Sequence, residues 1–219
     1  MIKVLLFDAA NTLIFKPDLL IRIATVLEKH QHLVDVNTLR SKHKLVSEII
    51  NFPDRTDRNF YEHFNTELIL SLGILPNKEI LDDVFTACSY LPWEPFEDCK
   101  SLNELSLPKC VLSNFNSGLN ELMDKLIPDC FTHYIVSESV GCRKPDIEFY
   151  NLATQKLGVE PHEIVYFGDS LKLDVMPAQK CGMNAILIDR FNEFTNFKNR
   201  ISTFEQIPGV IDKLNKQSS

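Results

Sequence analysis

The sequence predicts an α/β fold in which a parallel sheet is interrupted after its first strand by a helical insert. Three observations predict it. Short apolar runs of strand type occur at residues 2–7 (IKVLLF), 109–112 (KCVL), 133–136 (HYIV), 164–167 (IVYF) and 185–188 (AILI). Between residue 17 and about residue 92 no comparable run occurs, and apolar residues recur instead at spacings of three and four. From about residue 100 onward the runs alternate with helical stretches, the pattern of βαβ units in a parallel sheet. A length of 219 residues, more than one typical domain and less than two, suits an enlarged core with an insertion.

Taken in order, the first strand at 2–7 leads into FDAANTLI, and the insert follows. Its helices are traced by Leu19, Leu20, Ile23, Val26 and Leu27, then by Leu39, Leu45, Val46 and Ile49. Phe60, Phe64, Leu68 and Leu72 mark a third, and Ile80, Val84 and Phe85 a fourth. Pro53, the segment Gly73-Ile74-Leu75-Pro76 and Pro92 punctuate the block, and Asp54 or Asp57 could cap the third helix. Further helices are expected near 118–127, 146–157, 171–181 and 204–216. The first strand finds partners only in the second half of the chain. The expected domains are therefore residues 1–16 with 93–219 as the core and 17–92 as the insert. No internal repeat occurs, and the one low-complexity stretch is the polar tail from Lys213 to Ser219.

Composition removes several classes of function. Twenty-three Lys+Arg against 30 Asp+Glu give a net charge of −7 without a basic cluster, so neither nucleic acid nor an anionic membrane surface is an expected partner. No run approaches the roughly 18 apolar residues of a membrane span, and Lys3 and Asp8 stand where a signal peptide would be apolar. A cytoplasmic protein is expected. Cys88, Cys99, Cys110, Cys130, Cys142 and Cys181 are scattered without a C-x-x-C pair, so they read as reduced and mostly buried. Nothing in the sequence fixes an oligomeric state.

In an open parallel sheet, sites form at the carboxyl ends of the strands. Asp8 follows the first run, Ser113-Asn114 the second, Lys144 the third within GCRKPD, and Asp169 and Asp174 the fourth within GDSLKLD. Each has an ordinary structural reading. Asp8 could be a turn residue, Ser113-Asn114 a capping pair, and Gly168-Asp169-Ser170 a capped turn. Lys144-Pro145 could be a solvated turn with Pro145 at the first helical position and Asp146 in the first turn. Together, however, a carboxylate nucleophile, a hydroxyl-amide anion clamp, a lysine and an acidic pair for a cation are what phosphoryl transfer requires.

FDAANTL, VLSN, the lysine of RKPD and FGDSLKLD, in this order, resemble the four motifs of the haloacid dehalogenase-like hydrolase superfamily. The resemblance implies a Rossmann-like core with a helical cap at 17–92. SNFNSGL and SESVGCRKPDIEFY look most like its REG-2-like subgroup. By the same resemblance Asp8 would attack phosphorus, and Mg2+ would be held by Asp8, the Ala10 carbonyl and Asp169, with Asp174 acting through a metal-bound water or on Lys144. Ser113 and Asn114 would take phosphate oxygens, and Lys144 would offset their charge. Thr12 would fix the loop by hydrogen bonding, or would simply be a β-branched turn residue. The implied partner is a small phosphorylated molecule.

Ala10 departs from the pattern, because phosphatases of the superfamily usually carry there an Asp that protonates the leaving oxygen. His30, His32, His43, His63, Lys29, Lys42, Lys44 and Lys78 of the insert are candidate replacements or solvated residues. Asn11, where glycine is more usual, is compatible with a left-handed turn. A phosphonatase using Lys42 or Lys44, a haloacid dehalogenase-like activity, and a binding module that keeps the fold are the rival readings.

Overall fold

A computed structural model describes residues 1–217, and it divides into two compact units. One comprises residues 1–15 and the chain from Pro95 onward, the other Lys16–Glu94. In the first, β1 (Val4–Phe7) is followed by a tight loop and the two-residue β2 (Ile14–Phe15), which pairs with β3 (Glu94–Pro95). The second unit consists of α1 (Leu19–Lys29), α2 (Val36–Ile49), α3 (Arg58–Ser71) and α4 (Lys78–Cys88).

The remaining strands are β4 (Lys109–Ser113), β5 (His133–Val136), β6 (Ile164–Gly168), β7 (Asn184–Ile188) and β8 (Arg200–Ile201). With β1 they form a six-stranded parallel sheet in the order β5-β4-β1-β6-β7-β8. Helices α5 (Leu119–Leu126), α6 (Ser137–Val140), α7 (Ile147–Leu157), α8 (Met176–Lys180) and α9 (Ile207–Gln217) complete the unit. β1 is apolar without alternation because both faces are covered. Leu6, Leu112, Ile135 and Tyr166 share one buried cluster with Phe149, Tyr150 and Ala153 of α7. On the other face Phe7 stacks on Phe167 at 5.0 Å and meets Phe204 edge-on at 5.6 Å.

The strand expectations hold to within two residues at each end, and the insert does contain four helices. The structure adds β2, β3, β8, α6 and a 3-10 helix at Glu97–Glu104, all too short for a periodic pattern to register. The stretch expected as one helix at 171–181 begins as a π-helical turn, Leu171–Val175, and becomes α-helical only at Met176. Pro145 does not open a helix: Asp146 occupies the N-cap position, α7 starts at Ile147, and the Lys144-Pro145 peptide is cis. Of the tail from Lys213, residues to Gln217 belong to α9, and the last two lie outside the described residues. All six cysteines are free, three buried and three partly so. Among the described residues no helix is long and apolar enough to cross a membrane.

Within the helical unit, Ile23, Leu27, Leu39, Val46, Phe64, Leu68, Ile80 and Val84 are buried together. Leu45 and Ile49, on the same spacing, point outward. Asp57, rather than Asp54, caps α3 by accepting from the Phe60 amide at 2.7 Å, and Asp35 and Asn77 cap α2 and α4 in the same way. His43 packs edge-on against Phe64 at 5.2 Å, and burial together with Lys44 holds its pKa down to about 4. Since an unfolded imidazole protonates near 6.5, the unfolded state binds more protons between about pH 6.5 and 4, and stability falls with pH across that window. His43→Leu is expected to be about 2 kcal/mol less acid-sensitive than the parent between pH 7 and 4.5, measured by denaturant unfolding. Identical acid sensitivity would show that His43 is not held neutral.

Candidate active site

The parallel register brings the candidate residues together. Phe7 pairs with Val111 of β4 and with Phe167 of β6, so Asp8 emerges between the ends of its two neighbours, near Ser113 and Asp169. Asp8 is 6% exposed, and its Oδ1 receives Lys144 Nζ at 2.5 Å and Ser113 Oγ at 3.2 Å. Lys144, 5% exposed, donates also to Asp174 Oδ1 at 2.7 Å. A lysine that the sequence could have placed in a solvated turn is therefore enclosed between two carboxylates.

The placement of Lys144 rests on Asn114. The Asn114 side chain accepts from the Lys144 amide at 2.8 Å and donates to the Lys144 carbonyl at 3.0 Å. This two-point bond fixes the lysine backbone to the end of β4, so the Asn114 side-chain amide is already committed to protein. Asp174 is fixed as firmly. Its Oδ2 accepts the Ser170 amide at 2.9 Å, and its Oδ1 also accepts the Tyr166 hydroxyl at 2.8 Å. A Cβ on Gly168 would lie 2.3 Å from the Asp174 carboxyl carbon, so glycine is required there by close approach.

Asp8, Asp169 and Asp174 each offer an oxygen within 4.8 Å of the others. In this cluster three carboxylates lie around one ammonium. Burial raises the Asp8 pKa to about 7 despite the lowering effect of Lys144, and the charges of Asp174 and Asp169 add to the rise. For Lys144 burial acts downward, but Asp174 and Asp8 carry its pKa up to about 12, so it stays charged. Three carboxylates with an oxygen each this close together fit a divalent cation of the hard, oxygen-seeking kind. Both oxygens of Asp174 already accept protein hydrogen bonds, which makes it less suited to direct ligation.

The loop after Asp8 folds on itself. Leu13 and Ile14 amides donate to the Ala9 carbonyl, and Asn11 takes a left-handed conformation with φ of 58°. The Thr12 hydroxyl is buried with no partner among the described residues, whereas the Thr12 carbonyl accepts from Arg190 at 2.8 Å. Tyr166 and Arg190 were not singled out in the sequence, although a hydroxyl within an apolar strand and a charged pair directly after AILI were signals for them. In the helical unit, Lys29 and His30 both reach Asp83, Lys78 reaches Asp82, and Lys44 lies 3.8 Å from Glu48.

A family model for haloacid dehalogenase-like hydrolases matches residues 2–182. Over 199 residues the chain is 27% identical to a glyceraldehyde 3-phosphate phosphatase of Methanopyrus kandleri, covering 87% of this chain and 85% of that protein. It is 33% identical over 90 residues to haloacid dehalogenase-like hydrolase domain-containing protein 3 of Mus musculus. That match takes in 41% of this chain and only 36% of the mouse protein's length. Among solved structures, the HAD-hydrolase YfnB of Bacillus subtilis, crystallised with magnesium bound, superimposes with a TM-score of 0.67 at 14% identity. The superposition covers 96% of this chain and 99% of YfnB, and it shows a shared fold.

Proposed function

Because the chain belongs to the haloacid dehalogenase-like hydrolases, we propose that it is a magnesium-dependent phosphatase acting on a small phosphate ester through an aspartyl-phosphate at Asp8. The observation that carries this reading is the buried Asp8–Lys144–Asp174 cluster at the strand ends, with the partly buried Asp169 beside it. We assign residues 1–16 and 93–219 to the hydrolase core and 17–92 to the cap, and on SNFNSGL and SESVGCRKPDIEFY we place the chain in the REG-2-like subgroup.

In this mechanism an Asp8 carboxylate oxygen forms a bond to phosphorus while the bond to the leaving oxygen breaks, and water later releases phosphate from Asp8. The Ser113 hydroxyl and the Asn114 backbone N–H bind the non-bridging oxygens, the Asn114 side chain being occupied by Lys144. Lys144 offsets the charge that gathers on phosphorus and Asp8, and Asp174 keeps its ammonium on station. Asp8, the Ala10 carbonyl and Asp169 would hold Mg2+, with Asp174 outside them. Bound there, the cation would screen the repulsion between an anionic nucleophile and a phosphate dianion.

Ala10 cannot donate a proton, which favours substrates whose leaving group departs without one. Ala10→Asp is expected to raise turnover of alkyl phosphates by up to roughly 10²-fold and of p-nitrophenyl phosphate much less. Steady-state and burst kinetics of both esters check this, since a uniform gain would place the limitation in dephosphorylation. Ala10 is also the observation behind the second reading, a phosphonatase or haloacid dehalogenase, whose reactions do not depend on an acid at this position. A panel of phosphate esters, phosphonoacetaldehyde and haloacetate, assayed with magnesium and with EDTA, decides between them. Magnesium-dependent release of phosphate from esters supports the first reading, and cleavage of only the phosphonate or halide overturns it.

A further inference from the structure

We propose that Arg190 is a positioning residue that holds the loop bearing the nucleophile, an inference that rests on the reading of Asp8 given above. Arg190 stands two residues past β7, and its guanidinium lies between two aromatic rings, 3.9 Å from the centre of Phe96 and 4.7 Å from that of Phe204. One arm donates to Asp98 Oδ2 at 2.8 Å, and the other to the Thr12 carbonyl at 2.8 Å. Asp98 is itself 8% exposed, and the same Oδ2 accepts the Phe204 amide at 2.9 Å. All these residues belong to the core unit.

The physics of the arrangement concerns direction more than stability. A buried ion pair adds little over an apolar replacement, because desolvation offsets most of the attraction. What the planar guanidinium supplies is a fork whose plane is set by the two rings and whose donors therefore point in fixed directions. One donor aims at a carbonyl four residues beyond Asp8, at the far side of the turn that carries Ala10 and Asn11. The Thr12 hydroxyl makes no hydrogen bond among the described residues, so it does not anchor the turn itself. Arg190 holds it from outside at Thr12, while the Phe96 amide at 3.0 Å and Cys99 Sγ at 3.2 Å bind the next carbonyl, that of Leu13. Residues 9–12 run between the nucleophile and this anchor, and a shift of about 1 Å at a reacting group is enough to cost roughly 10²-fold in rate. Among the described residues Arg190 bonds Asp98 and Thr12 and neither Asp8 nor Lys144, and it acts through the loop alone.

The test uses the whole chain with Arg190→Lys, which keeps the charge but loses the fork and much of the stacking, and Arg190→Ala with guanidinium ion added back. Hydrogen exchange is followed for the amides of residues 11–14 against those of 164–168. In parallel, kcat and KM are measured with p-nitrophenyl phosphate. For Arg190→Lys, exchange at 11–14 is expected to quicken by about tenfold while 164–168 stays protected, a local opening rather than a global one. Its kcat is expected to fall by about tenfold with KM within about twofold, since the loss falls on the transition state. Low millimolar guanidinium should restore protection and kcat in Arg190→Ala. Unchanged exchange at 11–14, equal acceleration in both segments, or global unfolding of both variants would overturn the proposal and leave Arg190 a stability residue. The exchange measurement needs no substrate. If the wild type releases phosphate from no ester, the phosphatase reading fails while the role of Arg190 in the loop is still decided.

Discussion

Asp8→Asn is expected to lower phosphate-ester turnover by roughly 10⁵-fold or more, the scale on which removal of a covalent nucleophile acts. The amide keeps the shape of the carboxylate, so the sheet should be unaffected. The variant should in fact be the more stable protein when magnesium is chelated. Asp8 titrates higher in the folded than in the unfolded chain, because burial and the Asp174 and Asp169 charges oppose its ionisation more than Lys144 favours it. The folded state therefore binds more protons between about pH 4 and 7, and stability is lost as pH rises through that window. Above it Asp8→Asn escapes the loss while Lys144 keeps Asp174 as its partner. Thermal melts in EDTA at pH 7.5 should show a higher midpoint for the variant, and rapid-mix assays should show no turnover beyond that from deamidated protein. A variant that is both active and less stable would mean that Asp8 is a structural partner of Lys144.

Asp169→Ala is expected to weaken magnesium binding more than about 100-fold and to cut turnover by about 10³-fold or more. Both oxygens of Asp174 are held by Lys144, Tyr166 and the Ser170 amide, so Asp174 cannot readily take over as a direct ligand. Calorimetric titration of magnesium without substrate reads the first effect, and ester hydrolysis the second. Full activity in Asp169→Ala, or in the wild type after exhaustive chelation, would favour the dehalogenase reading over the phosphatase.

The strands and the four helices of the insert were legible because each buries a face whose period appears in the residue pattern. The strand ends alone point to Asp8, Ser113, Lys144, Asp169 and Asp174. What could not be read was the network behind them. Asn114 looked like an anion clamp or a cap, and its side chain proves to bind the backbone of Lys144, a partner 30 residues away that spacing cannot reveal. Tyr166 reads as part of an apolar run because its ring is core-forming and only its hydroxyl reaches Asp174. Arg190 follows the fifth run beside Asp189, and its partners Thr12 and Asp98 lie 178 and 92 residues away in sequence, beyond what spacing reveals. For Thr12 the sequence allowed a loop-fixing hydroxyl or a plain β-branched turn residue, and it is the backbone carbonyl that is bound, by Arg190, while the hydroxyl has no partner among the described residues.

The central claim is that Asp8 becomes phosphorylated. Rapid acid quench of the magnesium-loaded protein during turnover of p-nitrophenyl phosphate, followed by peptide mass spectrometry, tests it directly. Phosphate is expected on the peptide containing Asp8, at a level that rises in a burst and is absent from Asp8→Asn. Steady release of phosphate with none found on Asp8 at any quench time would contradict it.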